Sequence, residues 1–192
     1  MKKLYLHLII TMLLFASHYG SAALRAQENE PKDYTISLPG TDGKNYDLTQ
    51  MRGQVLVVSF GATWCQPCKE ELRVLEELKK EYGDRPVKFF WVSIEPSEEA
   101  SDKRLQSFAK SVKFTFPILR DATRWTYAQF SERQRIPLVV FFDKQGRFAP
   151  PTHAGMSTPE NYRRMVRTEL ERLLADKSNT GAAALKAARP SN

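Results

Sequence analysis

Val55-Leu-Val-Val-Ser-Phe60-Gly61-Ala-Thr-Trp-Cys65-Gln-Pro-Cys68-Lys-Glu-Glu71 is the stretch on which the fold turns. Its first six residues form a β-branched apolar run, the pattern of a strand buried on both faces. The pattern then changes period. From Pro67 to Tyr82 the apolar positions Cys68, Leu72, Leu75 and Tyr82 fall on one stripe, with Lys69, Glu70, Glu76, Glu77 and Lys80 elsewhere. That spacing predicts an amphipathic helix, with Gly83 as its stop. The two cysteines therefore sit at a strand-to-helix junction.

Working outward, the same reading gives the rest of the order. Tyr34 to Leu38 alternates, Pro39 to Gly43 is a turn cluster, and Asn45 to Leu48 returns as the second arm of a hairpin. Val87 to Ile94 is a second buried strand, and Ser97 to Ser111 reads as a helix. Phe116 to Leu119 is a short strand, and Ala122 to Phe130 is helical. Leu138 to Phe142 is a third strong strand, followed by a turn at 143–146 and a fourth strand from Arg147 to His153. Thr158 and Pro159 are an N-cap and first helical residue for a last helix. This β-α-β-α-β-β-α order predicts an α/β sandwich with a mixed sheet.

The chain has 192 residues with 42% hydrophobic content, enough for one domain and too apolar for a disordered chain. The folded body is expected over 34–175, with a disordered tail over 176–192. Met1-Lys2-Lys3, the apolar run Leu4 to Ala16 and the small residues Gly20 to Ala23 read as an export signal over 1–23, cleaved after Ala22 or Ala23. An uncleaved N-terminal anchor is the competing reading. Removing 1–23 takes away Lys2 and Lys3 and no acid, lowering the formal charge from +7 to +5. That excess is spread without a Lys/Arg stripe, so a solvated surface is expected and a nucleic-acid partner is not.

Cys65 and Cys68 are the only cysteines. An exported chain that places its only two thiols three residues apart is expected to use them together. Cys65, at a helix N-terminus, meets unpaired N–H groups and the positive end of the macrodipole, which favour a thiolate. Cys68, one turn in on the apolar stripe, is expected to be shielded. The asymmetry suits an attacking and a resolving cysteine. Three readings compete. A structural zinc pair lacks ligands, since His153 is the one His left after the leader. A static disulfide would close too short a loop to constrain the unfolded chain much. A Cu(I) carrier could use both thiolates with His153.

Residues Tyr34 to Tyr82, through Leu48 to Gly53 and the Trp-Cys-x-Pro-Cys core, resemble the exported thioredoxin-like reductases of the TlpA/ResA group, and the likeness continues more loosely to about Leu174. The resemblance implies a thioredoxin fold, a three-layer α/β/α sandwich with a mixed central sheet, an N-terminal hairpin and an inserted strand–helix element. It implies a monomeric thiol-disulfide oxidoreductase of the periplasm or another extracytoplasmic space, without a cofactor. Its partners would be a disulfide-containing exported protein, such as apocytochrome c, and a membrane thiol electron donor. A disulfide oxidase or isomerase would use the same site.

Residue by residue, the resemblance assigns Pro137 as a cis-proline opposite the active disulfide, with Ile136 before it and Trp64 lining the docking surface. An ordinary strand-entry proline is the alternative at Pro137. Leu138 stands where the group usually has Thr. Ser59 stands where cytosolic thioredoxins carry a buried Asp. Glu95, just after the second core strand, matches the group's Glu, expected to have a raised pKa and to exchange a proton with Cys68. A surface Glu beside Glu98 and Glu99 is the bland reading.

Overall fold

The computed structural model describes residues 34–176. The predicted leader and nearly all of the predicted tail lie outside them. A hairpin, β1 (Ser37–Pro39) and β2 (Asn45–Asp47), leads into a 3-10 turn at Leu48–Gln50, whose first N–H groups are met by the Asp47 carboxylate at Thr49 N, 3.0 Å. Then follow β3 (Val55–Gly61), α1 (Gln66–Glu81), β4 (Val87–Ser93), α2 (Asp102–Val112), β5 (Ile118–Arg120), α3 (Trp125–Ala128), β6 (Leu138–Phe142), β7 (Phe148–Ala154) and α4 (Pro159–Ala175).

The central sheet has the order β5-β4-β3-β6-β7. β3 runs parallel to β4, in register from Val55 opposite Val87 to Gly61 opposite Ser93, and antiparallel to β6. All seven residues of β3 are buried, as a strand covered on both faces must be. Alternation divides them. Val55 and Val57 join Leu72, Leu75 and Leu78 of α1, Leu105 of α2 and Val166 and Leu170 of α4 in one core. Leu56, Val58 and Phe60 join Ile36, Leu38, Leu48, Tyr127 and Phe130 in the other. The predicted mixed sheet and hairpin are present. The second outer layer is thin: the hairpin, one-turn α3 and Phe130 cover that face.

Three helix boundaries differ from the sequence reading, each for a local reason. α2 starts at Asp102, not Ser97, because Ser101 caps it, while Glu99 and Ala100 both donate to the Pro96 carbonyl in a separate turn. α3 spans four residues, not nine. Asp121 takes the N–H groups of Thr126 and Tyr127, and Arg124 is left-handed (φ 60°), so no helix can run through 122–124. α1 ends at Glu81 with Tyr82 as C-cap, and the chain turns by Gly83 and Arg85 N–H bonds to Lys80 and Tyr82 without needing a left-handed Gly83. Thr158 and Pro159 open α4 as read, with Thr158 Oγ1 accepting from Asn161 N at 3.3 Å.

Gly61, at the end of β3, is held by a close approach. A Cβ there would lie 2.8 Å from Trp91 Nε1 and 3.2 Å from Cys68 Sγ. Gly61→Ala is therefore expected to destabilise the domain by about 1–3 kcal/mol, the usual effect of overpacking a filled core, and thermal unfolding with and without dithiothreitol measures it.

Candidate functional site

The C-terminal ends of β3 and β4 place the site. β3 delivers the chain into 62–65, and Cys65 becomes the N-cap of α1 in an extended conformation. Its sulfur does what a capping oxygen does: Sγ accepts from the Cys68 N–H at 3.2 Å. Pro67 lies in the first turn, where its missing N–H leaves no helical bond unmade. Cys65 and Cys68 are joined in a disulfide. Cys68 is completely buried and Cys65 is 5% exposed, and both pack with Ala62 and Ile136. The electrostatic difference is thus built in. A thiolate on Cys65 keeps an N–H donor and the helix end, whereas Cys68 lies beneath it among apolar neighbours.

Ile136 meets the cysteines from the segment that leads through Pro137 into β6. The Ile136–Pro137 bond is cis, and so is Pro150–Pro151, which nothing in the sequence reading anticipated. The loop before Ile136 is pinned from below. Tyr127 Oη accepts from Arg135 N at 2.7 Å and reaches the Arg133 and Arg135 carbonyls at 3.0 Å, while Arg124 bonds Gln134 Oε1 and the Ile94 carbonyl. Trp64, 59% exposed, stands against this loop and lines a groove with Gln134, Arg135, Ile136, Ala154 and Gly155. A large exposed indole beside a reactive pair is surface prepared for contact. A separate cavity, lined by Tyr46, Met51, Phe89 and Phe116 at the N-terminal half of β4, holds no Cys, His, Asp or Glu.

Glu95 is buried at 3% exposure, so it is not a surface acid. Its carboxylate accepts from Thr63 N at 2.7 Å, Thr63 Oγ1 at 2.8 Å and Ser93 Oγ at 3.3 Å. It anchors the segment that leads into Cys65 through Trp64.

A second buried carboxyl escaped the sequence reading. Glu71 lies one turn beyond Cys68 on the buried stripe of α1. Ser59 Oγ donates to it at 2.7 Å, and Tyr162 Oη of α4 donates to its other oxygen. Burial pushes its pKa up from 4.5 to about 7, only partly opposed by the Tyr162 and Ser59 hydrogen bonds. The signal was available. A Glu three residues after Cys68 falls on the same face as Leu72 and Leu75, where a charge is costly unless it is partnered.

His153 of β7 lies opposite Val139, with Phe141 against its ring. Among the described residues, no three His, Cys, Asp or Glu side chains are grouped to hold a metal ion. None of their helices is long and apolar enough to cross a membrane.

Residues 32–149 match the sequence model of the AhpC/TSA family. The thioredoxin-like protein YneN of Bacillus subtilis is 38% identical over 87 residues, 45% of this chain and 49% of YneN. The thiol-disulfide oxidoreductase ResA of the same organism is 30% identical over 87 residues, 45% of this chain and 46% of ResA. The aligned region thus spans about half the length of these curated relatives. Among solved structures, the exposed lipoprotein thioredoxin Etrx1 of Streptococcus pneumoniae superposes with a TM-score of 0.55 at 26% identity, covering 70% of this chain and 98% of that one.

Proposed function

This chain belongs to the AhpC/TSA family, in its thioredoxin-like, TlpA/ResA-like group, and we propose that it acts outside the cytoplasm as a reductant of disulfides in exported proteins. The observation that carries the reading is the Cys65 sulfur serving as N-cap acceptor of α1 over a fully buried Cys68. In the reduced protein, the Cys65 thiolate attacks a client disulfide. A Cys65–client disulfide forms and one client sulfur leaves with the electron pair. Cys68, deprotonated, then attacks Cys65 Sγ. The Cys65–Cys68 bond forms, the client bond breaks, and the second client thiol is released after taking up a proton. The client gains two electrons and this pair loses them, so a membrane thiol donor must return them.

Glu95 and Glu71 divide the supporting work in this reading. Glu95 holds the 62–64 segment and with it Trp64 and Cys65. It also remains the acid that the family resemblance assigns to proton exchange. Glu71, whose carboxyl changes charge near pH 7, is the buried group best matched to receive the Cys68 proton. The Pro137 carbonyl already accepts from Gly155 N–H at 2.7 Å, so the backbone beside the disulfide that a client segment would meet is that of Ile136. Apocytochrome c is the client the family suggests, and the leader over 1–23 supplies the export route.

The test is insulin-disulfide reduction by the dithiothreitol-primed domain, together with the equilibrium of the pair against glutathione. A couple more reducing than the glutaredoxin range supports the reductase direction; one well above it supports oxidase or isomerase work with the same site. Within that assay Trp64→Ala is expected to raise KM for insulin about tenfold with kcat changed less than about twofold, because an exposed anchoring aromatic contributes contact and no chemistry.

A further inference from the structure

Trp91 is the largest fully buried side chain among the described residues, central in β4 and packed on Phe108 and Phe114. Its indole Nε1 is buried and has no hydrogen-bond partner. A buried donor left unmade is costly, and a native protein that keeps one usually has a use for it. The location of this donor suggests the use. The point that a Gly61 Cβ would occupy lies 2.8 Å from Trp91 Nε1, 3.2 Å from Cys68 Sγ and 3.4 Å from Cys68 Cβ. Both the donor and the resolving sulfur thus border the space left by the one residue of β3 that has no side chain, within about 6 Å of each other.

We infer that the Trp91 indole N–H is held open for Cys68 and donates to its sulfur once the disulfide is reduced. The inference rests on the reductase reading and adds a thiolate-stabilising residue to it. In the disulfide, Cys68 Sγ is bound to Cys65 and is a poor acceptor. On reduction that bond is gone, the two sulfurs must separate, and Cys68 Sγ can settle toward the indole. A sulfur that carries charge is the strong acceptor, so the N–H favours the form that attacks the mixed disulfide. The resolving step needs this help, because Cys68 is fully buried and a thiolate there is costly without a donor. The bond formed is Cys65–Cys68 and the bond broken is Cys65–client. Trp91 exchanges no proton; it lowers the energy of the nucleophile that Cys68 becomes when a base takes its proton.

The ionisable groups on the elements around this sulfur are Cys65 and Glu71 on α1, Tyr162 of α4 on Glu71, and Glu95 after β4. Ser59, Gly61 and Trp91 are the uncharged contributions of β3 and β4. The experiment must therefore change the N–H alone. Replacing Trp91 by 3-benzothienylalanine does so, since sulfur takes the place of the indole N–H in a ring of the same shape. Trp91→Phe is the genetically simple second variant.

Two measurements follow. In the Cys65→Ser protein, where Cys68 is the only thiol, the ultraviolet absorbance of the thiolate is titrated. The analogue is expected to leave about tenfold less thiolate at a given pH near the midpoint. In the two-cysteine protein, the equilibrium with glutathione is expected to move about tenfold toward the disulfide at pH 9, equivalent to about 30 mV, and less than about twofold at pH 6, below the ordinary thiol range. Matching titrations for the tryptophan and analogue proteins, or a displacement of the glutathione equilibrium equal at both pH values, overturn the inference, since a packing effect does not follow the charge on Cys68. Failure of the parent protein to reduce insulin would instead overturn the reductase reading and leave the thiolate titration to judge Trp91 by itself.

Discussion

Cys65→Ser is expected to abolish insulin-disulfide reduction, lowering the rate by about a thousandfold or more, while Cys68→Ser is expected to stop after a single attack and to accumulate a client joined to Cys65. The expected difference follows from position. Cys65 caps α1 and keeps a donor for its thiolate in Cys68 N–H. Serine at 65 can still cap the helix, so the fold is retained, but an alkoxide is not available near neutral pH and the nucleophile is lost. Cys68 is fully buried and cannot meet a large client. It meets only the sulfur of Cys65. Removing it spares the first step and removes the second, and non-reducing electrophoresis of Cys68→Ser with insulin reads out the trapped species directly. Equal rates for wild type and Cys65→Ser would end the enzymatic reading. Equal trapping by Cys65→Ser and Cys68→Ser would end the assignment of attacking and resolving roles.

The placement of the two cysteines is legible in the sequence, and the reason is local. The apolar run of β3, the Pro67 at the first turn and the stripe of α1 are short-range signals, and they place both cysteines relative to the helix end. The same is true of Thr158 and Pro159 at the start of α4. The shortened α2 and α3 illustrate the opposite case. Their lengths are decided by which side chain or carbonyl takes the first N–H groups, Ser101 and Pro96 in one, Asp121 in the other, and a hydrophobic period carries no such information. Gly61 and Trp91 show a third kind of limit. They are thirty residues apart in sequence and become neighbours only through the parallel pairing of β3 with β4, so nothing in either segment announces that the indole N–H lies beside Cys68.

The carboxyl beneath the site gives the sharpest instance. Ser59, standing where cytosolic thioredoxins carry a buried Asp, has no acid function of its own. It nevertheless receives one: Glu71 reaches it from α1, and Tyr162 closes the group from α4. The charge sits on the helix and the strand supplies a hydroxyl to it. Read along the chain, Ser59 suggested an absence; read across the layers, it is half of a contact. The resemblance singles out Glu95 by its place after the second core strand, and the structure adds what the position could not, its grip on both the N–H and the hydroxyl of Thr63.

Glu71→Gln is expected to remove most of the decline in stability that the wild-type protein shows between about pH 4.5 and pH 7. Burial raises the Glu71 carboxyl from 4.5 in the unfolded chain to about 7 in the folded one. The folded state therefore binds this proton more tightly than the unfolded state does. Below about pH 4.5 both states are protonated and nothing is lost. As pH rises from there, the unfolded chain releases its proton first, and stability falls until the folded group also ionises near pH 7. The loss then levels off at about 3 kcal/mol. Glutamine keeps the shape and stays neutral: its carbonyl can accept from Tyr162 and its amide can donate to Ser59 Oγ. Urea unfolding of the oxidised proteins should give unfolding free energies within about 1 kcal/mol of each other at pH 5, and a variant more stable by up to about 3 kcal/mol at pH 8.5. A Glu71→Gln protein that loses stability with pH as steeply as wild type would place the titrating group elsewhere. The same variant separates structure from chemistry. If Glu71 receives the Cys68 proton, the stabilised variant is also the slower enzyme, releasing client from the mixed disulfide about tenfold more slowly at pH 7, a combination that a purely structural carboxyl cannot produce.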